Sequence, residues 1–267
     1  MKIVTLTLNP AFDVHCYVEN FQPFHENLAQ VTANEAGGKG VNISRALRAN
    51  GVESIALIVL GAENGDRFRR QLLADGISFR EIATAGRIRE NVTLHTNNAP
   101  ETRISFAGFT ASDALIDQVE SELYSLLEHG DVLTVTGRNP EGVRVERVKT
   151  MLNGLRQKGV KIVLDSRSFG KQDVTDVRPW LIKPNEEEIK AYTNIDVKDF
   201  SSAKQAAEAL RATGIENVMI SLGAKGAILC CGQGCYAVRA PKITALSTVG
   251  AGDSSIGGFC ATAKAGL

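Results

Sequence analysis

The sequence predicts an α/β fold, a three-layer α/β/α sandwich whose central sheet is mostly parallel. Continuous apolar runs such as Asp131 to Thr136 and Val160 to Asp165 are typical of strands buried on both faces. Between them, Val143 to Lys158 carries apolar residues at helical spacing. This alternation builds βαβ units, whose right-handed crossovers place helices on both sides of the sheet.

The same alternation extends along the chain. The residues Met1 to Leu6 begin directly with a strand. A strand over Ser54 to Leu60 precedes a helix over Asp66 to Asp75, and a helix over Ser201 to Thr213 precedes a strand over Asn217 to Leu222. We therefore expect a single domain spanning residues 1–267.

Two regions, about 13–35 and 89–108, break this alternation. Each contains short polar strands without an intervening helix, and Asn97 to Pro100 indicates a turn in the second region. The four strands are Asp13 to Val18, Leu28 to Glu35, Asn91 to Thr96 and Thr102 to Phe106. They are either surface hairpins or a small projecting sheet that acts as a lid. We favour the lid, because both regions adjoin the motifs described below.

Composition excludes several classes of partner. Thirty basic residues balance thirty acidic ones, so no net positive field favours nucleic acid or an anionic membrane. Apolar runs are too short to cross a bilayer, and the first residues do not read as a signal peptide. We expect a cytoplasmic protein whose partner is a small molecule.

The five cysteines show no Cys-x-x-Cys spacing. Cys230, Cys231 and Cys235 are conceivable metal ligands, but they flank Gly232 to Gly234, which predicts a hairpin turn between two strands. Reduced, structural thiols suit the expected compartment. We therefore predict neither a metal site nor a disulfide here.

A glycine-rich turn near the end of the sequence predicts an anion site. Within Ser247 to Ser255, the small residues Gly250, Ala251 and Gly252 let backbone N–H groups converge at the start of a helix. Asp253 puts a carboxylate beside the expected anion. Two interpretations remain open, a helix cap or a base that removes a proton during phosphoryl transfer.

A second glycine turn, within Ala36 to Leu47, opens a helix with Asn42 in its first turn. Glycine lets a ligand approach the backbone closely, and the amide side chain suits a hydroxylated ligand. The turn is not a phosphate loop of the Walker type, whose first glycine would fall at Ala33 and whose Ser or Thr would replace Gly40. It is not a dinucleotide fingerprint either, because Ile43 stands at the third glycine position.

Together these motifs resemble the pfkB family of carbohydrate kinases, related to ribokinase, over essentially the whole chain. Four segments carry the resemblance: Gly37 to Gly51, Leu181 to Glu188, Ile220 to Gly226 and Thr248 to Phe259. It implies a ribokinase-like fold, with Asp253 as the general base and the Gly250, Ala251 and Gly252 backbone as an anion hole.

The resemblance also implies ATP and Mg²⁺. Asn185 and Glu188 are three residues apart at a helix start, so they face one direction and suit water around Mg²⁺. A solvent-exposed helix face is the alternative for Glu188. Lys183 is expected to contact the nucleotide. The other expected nucleotide contacts are Ser221, Gly223, Lys225 and Gly226.

The segment Thr7 to Asp13 resembles the start of the phosphosugar branch of the family. By that resemblance Asp13 accepts hydrogen bonds from sugar hydroxyls, and Arg89 and Asn91 lie near the substrate. A guanidinium at this place suits a sugar phosphate, although Arg89 could instead anchor the lid. The other expected sugar contacts are Gly37, Gly38 and Asn42.

Two departures from the family pattern stand out. The segment Thr136 to Pro140 replaces the usual Ser-Gly-Ser-Leu-Pro, so Arg138 stands where a small hydroxyl is typical. We expect Arg138 to join the sugar-phosphate site or to change which sugar fits. The family also normally continues beyond the helix that contains Leu267, so we expect the C-terminal part that covers adenine to be absent from this sequence.

The expected reaction is ATP-dependent phosphorylation of a ketohexose phosphate, with fructose 1-phosphate as the favoured acceptor and fructose 1,6-bisphosphate as the product. Tagatose 6-phosphate is the alternative acceptor. A catalytically silent sugar-phosphate-binding protein is the alternative outside the enzyme class. Exposed strand edges of the lid suggest a homodimer formed through the lid strands.

Overall fold

The computed structural model describes residues 1–242 and 250–266. Ser247, Thr248 and Val249, which begin the predicted anion site, lie outside the described residues, as does Leu267. In chain order the strands are β1 (Ile3–Thr7), β2 (Ala11–Val18), β3 (Gln30–Gly37), β4 (Ile55–Gly61), β5 (Phe79–Thr84), β6 (Arg89–Thr96), β7 (Thr102–Ser105), β8 (Val132–Thr136), β9 (Lys161–Asp165), β10 (Leu181–Ile182), β11 (Asn217–Ser221), β12 (Ala227–Cys231) and β13 (Gly234–Val238).

Nine of these strands form the central sheet, in the order β13-β12-β11-β10-β9-β8-β1-β4-β5. Every pair from β11 to β5 is parallel, whereas β12 and β13 add an antiparallel hairpin at one edge. The strands β1, β8 and β10 are fully buried, because helices cover both faces of the sheet. The predicted mostly parallel sheet is confirmed.

Helices form the two outer layers. They are α1 (Lys39–Ala49), α2 (Gly65–Ala74), α3 (Asp113–Leu126), α4 (Val145–Gln157), α5 (Lys171–Val177), α6 (Glu186–Thr193), α7 (Phe200–Arg211) and α8 (Ala251–Lys264). On one face, α1 and α8 pack together over Ile3, Val132 and Val163. The helices α3 to α7 bury the larger apolar cluster on the opposite face. Among the described residues, no helix combines the length and the apolar character that crossing a membrane requires.

A separate four-stranded sheet, in the order β3-β2-β6-β7, projects from the body. One face packs on α2, where Phe12 and Phe68 meet edge to face at 5.4 Å between ring centroids. The other face carries Asp13 and Asn91, which are paired neighbours on β2 and β6. The small projecting sheet expected from the two polar regions is thus confirmed. Its face opposite α2 carries residues of the candidate site.

The structure adds elements that the sequence patterns did not predict, namely β5, α3 and α5. It also corrects the expectation of reduced cysteines, because Cys230 and Cys235 form a disulfide. These residues are direct partners across the antiparallel β12–β13 pair, with Cα atoms 4.1 Å apart. Cys16, Cys231 and Cys260 remain free thiols.

Candidate active site

The candidate site lies where the parallel strands of the central sheet end. Asp165 is the last residue of β9, Ser221 is the last residue of β11, and Lys183 directly follows β10. The helices α1 and α8 begin at the same edge and bring two further motifs to it. Ligands of open α/β sheets bind at this edge, outside the carboxyl ends of the strands.

Asp253 lies in the first turn of α8, after Gly250 in a left-handed conformation (φ +79°) that glycine adopts without strain. The carboxylate is buried, with 5% of the residue exposed. The Asn42 side chain donates a hydrogen bond from Nδ2 to Asp253 Oδ2 at 2.9 Å. Burial raises the pKa of Asp253 above its ordinary value, whereas the Asn42 hydrogen bond and the Lys39 charge oppose that rise.

Two lysines converge on a buried carboxylate beside Asp253. The Nζ atoms of Lys39 and Lys183 lie 3.0 and 3.4 Å from Asp165 Oδ2. A Cβ on Gly252 would lie 2.9 Å from Lys183 Nζ, so this ammonium sits directly against the glycine turn. Lys183 thus adds positive charge where the backbone N–H groups at the start of α8 already favour an anion.

Asp13, Asn91 and Arg89 form a hydrogen-bonded chain at the base of the lid. Asn91 Nδ2 donates to Asp13 Oδ1 at 2.8 Å, and Arg89 Nη1 donates to Asn91 Oδ1 at 3.1 Å. Gly37 lies against the Asp13 carboxylate so closely that a Cβ there would be 2.1 Å from Oδ2. Gly38 is the N-cap of α1, and its carbonyl oxygen accepts a hydrogen bond from the Asn42 backbone N–H at 3.0 Å. Asn42, which also donates to Asp253, thus connects the predicted sugar contacts to α8.

Arg138 follows β8 and is exposed. The neighbouring backbone is held on both sides, because Asn139 N donates to Ser168 Oγ at 2.9 Å and Asn139 O accepts from Asn9 Nδ2 at 3.4 Å. Burial lowers the pKa of Arg89, and the positive charges of Arg138 and Arg103 lower it further. The negative charge of Asp13 opposes this lowering of the Arg89 pKa.

Asn185 and Glu188 form a capping box at the start of α6. Asn185 Oδ1 accepts from Glu188 N at 2.8 Å, and Glu188 Oε2 accepts from Asn185 N at 3.0 Å. Glu188 Oε1 lies 3.4 Å from Arg167 Nε. Glu188 and Asp165 also line one small cavity. Two carboxylates sharing a cavity suit a hydrated divalent cation, so the donor set fits Mg²⁺.

The remaining expected nucleotide contacts lie on one turn after β11. Ser221 and Asn185 form an isolated parallel β-bridge. The residues Gly223–Lys225 form a single 3₁₀ turn. Gly226 requires glycine, since its φ is +116° and a Cβ would be 1.9 Å from Val238 O. The Lys225 Nζ donates to Glu186 Oε1 at 3.1 Å and is exposed.

Three residues of this region were missed by the sequence analysis. Lys39 stands inside the quoted glycine turn, and Asp165 ends a predicted strand, so both had a positional signal. Arg103, whose charge lowers the pKa of Arg89, had none; it lies opposite Thr93 on the strand next to β6.

The comparisons with known proteins identify the family. Residues 7–267 match the pfkB family of carbohydrate kinases. A curated relative, the 1-phosphofructokinase of Escherichia coli (strain K12), is 33% identical over 258 residues, which cover 97% of this chain and 83% of that protein. The 1-phosphofructokinase of Haemophilus influenzae is 32% identical, over 100% of this chain and 85% of its own length. The chain belongs to the pfkB family of carbohydrate kinases.

Solved structures give the same fold. Phosphofructokinase-2 from Escherichia coli, in complex with substrates and products, superposes with a TM-score of 0.93 at 24% identity, covering 100% of this chain and 88% of that one. The tetrameric inhibited form of phosphofructokinase-2 gives a TM-score of 0.86 at 25% identity, covering 96% of this chain and 85% of that one. The predicted ribokinase-like α/β architecture is confirmed.

Proposed function

We propose that this sugar kinase transfers a phosphoryl group from ATP to fructose 1-phosphate, forming fructose 1,6-bisphosphate. The observation that carries the proposal is the buried Asp253 carboxylate, hydrogen-bonded to Asn42 at the start of α8. The two 1-phosphofructokinases similar over nearly the whole chain support the choice of acceptor. The predicted domain, residues 1–267 with lid strands from about 13–35 and 89–108, is the unit to which we assign this activity.

In the proposed mechanism, Asp253 accepts the proton of the attacking hydroxyl group. Asn42 holds the carboxylate oxygen in place, and the N–H groups at the start of α8 stabilise charge on the transferring group. Lys183, fixed by Asp165 beneath Gly252, adds a positive charge at the same point. The residues Gly250, Ala251, Gly252 and Asp253 thus supply base and anion hole from one turn.

We assign metal binding to Asn185 and Glu188, acting through water. When bound, Mg²⁺ would supply positive charge that neutralises the nucleotide phosphates. Asp165, which lines the same cavity as Glu188, adds a second carboxylate to that region. The turn that contains Ser221, Gly223, Lys225 and Gly226 would hold the nucleotide beside Asn185.

We assign acceptor binding to the base of the lid. Asp13 and Asn91 would bind sugar hydroxyls, together with the Gly37 and Gly38 backbone. Arg89 and Arg138 would bind the phosphate that the acceptor already carries. The lid sheet would exclude water during transfer and so limit ATP hydrolysis. ATP as the donor also favours the cytoplasm as the place of reaction.

The test is ADP release measured against a panel of acceptors, with fructose 1-phosphate, tagatose 6-phosphate, fructose 6-phosphate and unphosphorylated fructose at equal concentrations. We expect the largest kcat/KM for fructose 1-phosphate and little activity with fructose. A preference for tagatose 6-phosphate would change the acceptor and keep the reaction. Binding of ketose phosphates, seen as thermal stabilisation, without ADP release would contradict the kinase and indicate a silent binding protein.

A further inference from the structure

A chain of hydrogen bonds leads from the surface of the molecule to the candidate base. Asp75 Oδ2 accepts from Arg45 Nε at 2.9 Å and from Arg45 Nη2 at 2.6 Å. The third nitrogen of the guanidinium, Nη1, donates to Asn42 Oδ1 at 3.3 Å. Asn42 Nδ2 in turn donates to Asp253 Oδ2 at 2.9 Å. Arg45 is therefore connected to the candidate base through one side chain, that of Asn42.

Two helices hold the guanidinium in this chain. Asn42 and Arg45 lie three residues apart on α1, so their side chains are neighbours on one face of the helix. Both residues are half-buried. Asp75 is the C-cap of α2, where the helix dipole disfavours a carboxylate. The ion pair with Arg45 offsets this disadvantage, and it fixes the guanidinium between the two helices.

The amide of Asn42 has two orientations, which exchange its oxygen and its nitrogen. With Oδ1 turned towards Asp253, two acceptors would face each other and the hydrogen bond to the carboxylate would be lost. A guanidinium has donors only, so Arg45 favours the orientation in which Oδ1 faces it and Nδ2 faces the carboxylate. The positive charge also polarises the amide, which strengthens the donor at its other end.

We propose that Arg45 is a positioning residue for the candidate base, because it fixes the Asn42 amide with Nδ2 towards Asp253. This role rests on the proposed kinase function, in which the Asp253 carboxylate must be ionised before it accepts a proton. Arg45 acts through Asn42, and Asp75 holds Arg45 in place.

The titration of Asp253 measures whether the amide is correctly oriented. Burial raises the pKa of Asp253, and the Asn42 hydrogen bond is the largest influence that opposes this rise. The charges of Lys39 and Lys183 also lower the pKa, whereas Asp165 raises it. Without the guanidinium the amide is free to turn away from the carboxylate, so the pKa should rise.

The first experiment measures the pH dependence of kcat with fructose 1-phosphate for the wild-type enzyme and for Arg45→Met. The acid limb should move to higher pH by about one unit, the effect of one weakened hydrogen bond to a carboxylate. At higher pH, kcat should approach the wild-type value, because the base itself is intact. Asp75→Asn, a change at an exposed position, should move the limb in the same direction by less.

Arg48→Met is the matched control. Arg48 lies on the same helix and also ties it to the segment after α2, since its Nη1 donates to Gly76 O at 3.0 Å. This variant should leave the acid limb in place. An equal shift in Arg48→Met and Arg45→Met would overturn the proposal, because it would show a general loosening of the contact between the two helices.

A double-mutant cycle separates positioning from a direct effect of charge. In an Asn42→Ala background there is no amide to orient, so Arg45→Met should produce no further shift of the acid limb. The same shift with and without the amide would overturn the proposal, because Arg45 would then act on Asp253 without Asn42.

The second experiment needs no turnover. Carbon NMR of protein labelled at the aspartate carboxyl carbons follows the titration of Asp253, whose signal is identified by its absence in Asp253→Asn. A higher pKa in Arg45→Met, with the wild-type pKa in Arg48→Met, supports the positioning role. An unchanged pKa in an enzyme that releases ADP overturns that role and leaves the proposed function intact. A higher pKa in Arg45→Met, with no ADP from any ketose phosphate even in the wild-type protein, supports the role and overturns the function.

Discussion

At the residue scale, the environment of Asp253 combines two opposing influences on one carboxylate. Burial raises its pKa, which makes the carboxylate a stronger base than an exposed one. The Asn42 hydrogen bond and the positive charge of Lys39 oppose that rise. A base must be ionised before it accepts a proton, and this balance therefore determines the acid limb of the pH profile.

Asn42→Ala should move that acid limb to higher pH. The substitution removes the hydrogen bond that lowers the pKa of Asp253 and leaves the burial that raises it. The pH dependence of kcat checks this, and Asn50→Ala at the end of α1 is the matched control. An acid limb that stays in place, or moves to lower pH, would show that Asn42 does not tune the base.

Sequence reasoning reached some of these residues and not others. Asp253 and Asn42 belong to recognisable glycine turns, so both were predicted, although 211 positions separate them. The contacts of Asp165 with Lys39 and Lys183 were not predicted. They depend on how β9, β10 and the start of α1 are placed at one edge of the sheet, and a single sequence carries no direct signal for that placement.

At the element scale, the start of α6 serves two purposes. The capping box of Asn185 and Glu188 satisfies backbone N–H groups at the helix start, which is the ordinary stabilising role of such residues. Glu188 also lines the cavity that Asp165 lines. The sequence left open a solvent-exposed helix face or a metal environment for Glu188; the side chain is half-buried, and its role in metal binding stays a prediction.

Asn185→Ala should therefore cost both stability and magnesium affinity. The lost cap should destabilise the protein by about 1 kcal/mol. The concentration of Mg²⁺ needed for half-maximal activity should rise about tenfold. Asp199→Ala is the matched control, because Asp199 caps α7 through Ser202 in the same way and lies in a different helix. If Asn185→Ala and Asp199→Ala needed the same Mg²⁺ concentration, Asn185 would serve only as a helix cap.

The β12–β13 hairpin shows why some elements were predicted only in part. The turn between the two cysteine-bearing strands was recognised from its glycines. Its two-residue length, however, sets the register that puts Cys230 opposite Cys235. One residue more in the turn would have separated the two sulfur atoms, so the disulfide depends on a detail that strand patterns do not fix. The β5 strand was missed because Ile82 is its single buried residue.

At the scale of the whole molecule, the lid sheet has two free edges. Within residues 1–242 and 250–266, the outer strands β3 and β7 each pair with one neighbour, and Val31 and Ile104 on them are 58% and 49% exposed. Such edges favour association with another chain. We propose a homodimer formed through the lid strands.

Sedimentation equilibrium tests the dimer. Val31→Asp and Ile104→Asp should each shift the wild-type dimer towards monomer, since a charge in an apolar contact is unfavourable. Leu73→Asp, which changes an exposed leucine on α2, should leave the mass unchanged. A wild-type monomer would contradict the dimer. A dimer that neither Val31→Asp nor Ile104→Asp weakens would show that the subunits associate through another surface.

The fold as a whole followed from sequence because its main signals are local. Continuous apolar runs predict buried strands, and apolar residues at helical spacing predict helices. Short polar strands without intervening helices predict the small projecting sheet. Predicting the site also requires knowing which residues lie close together in space. Much of that information came from the resemblance to the family. The N-cap of α8 is Gly250 and not Asp253, so the central prediction is that Asp253 acts chemically.

The most direct measurement is steady-state ADP release with fructose 1-phosphate by the wild-type enzyme and by Asp253→Asn, together with calorimetric binding of the sugar to both. The amide preserves the shape of the side chain and removes its basicity. We expect kcat to fall by roughly 10² to 10⁴, the usual contribution of a general base, with sugar binding retained. Near-normal kcat in a folded Asp253→Asn enzyme would contradict the account.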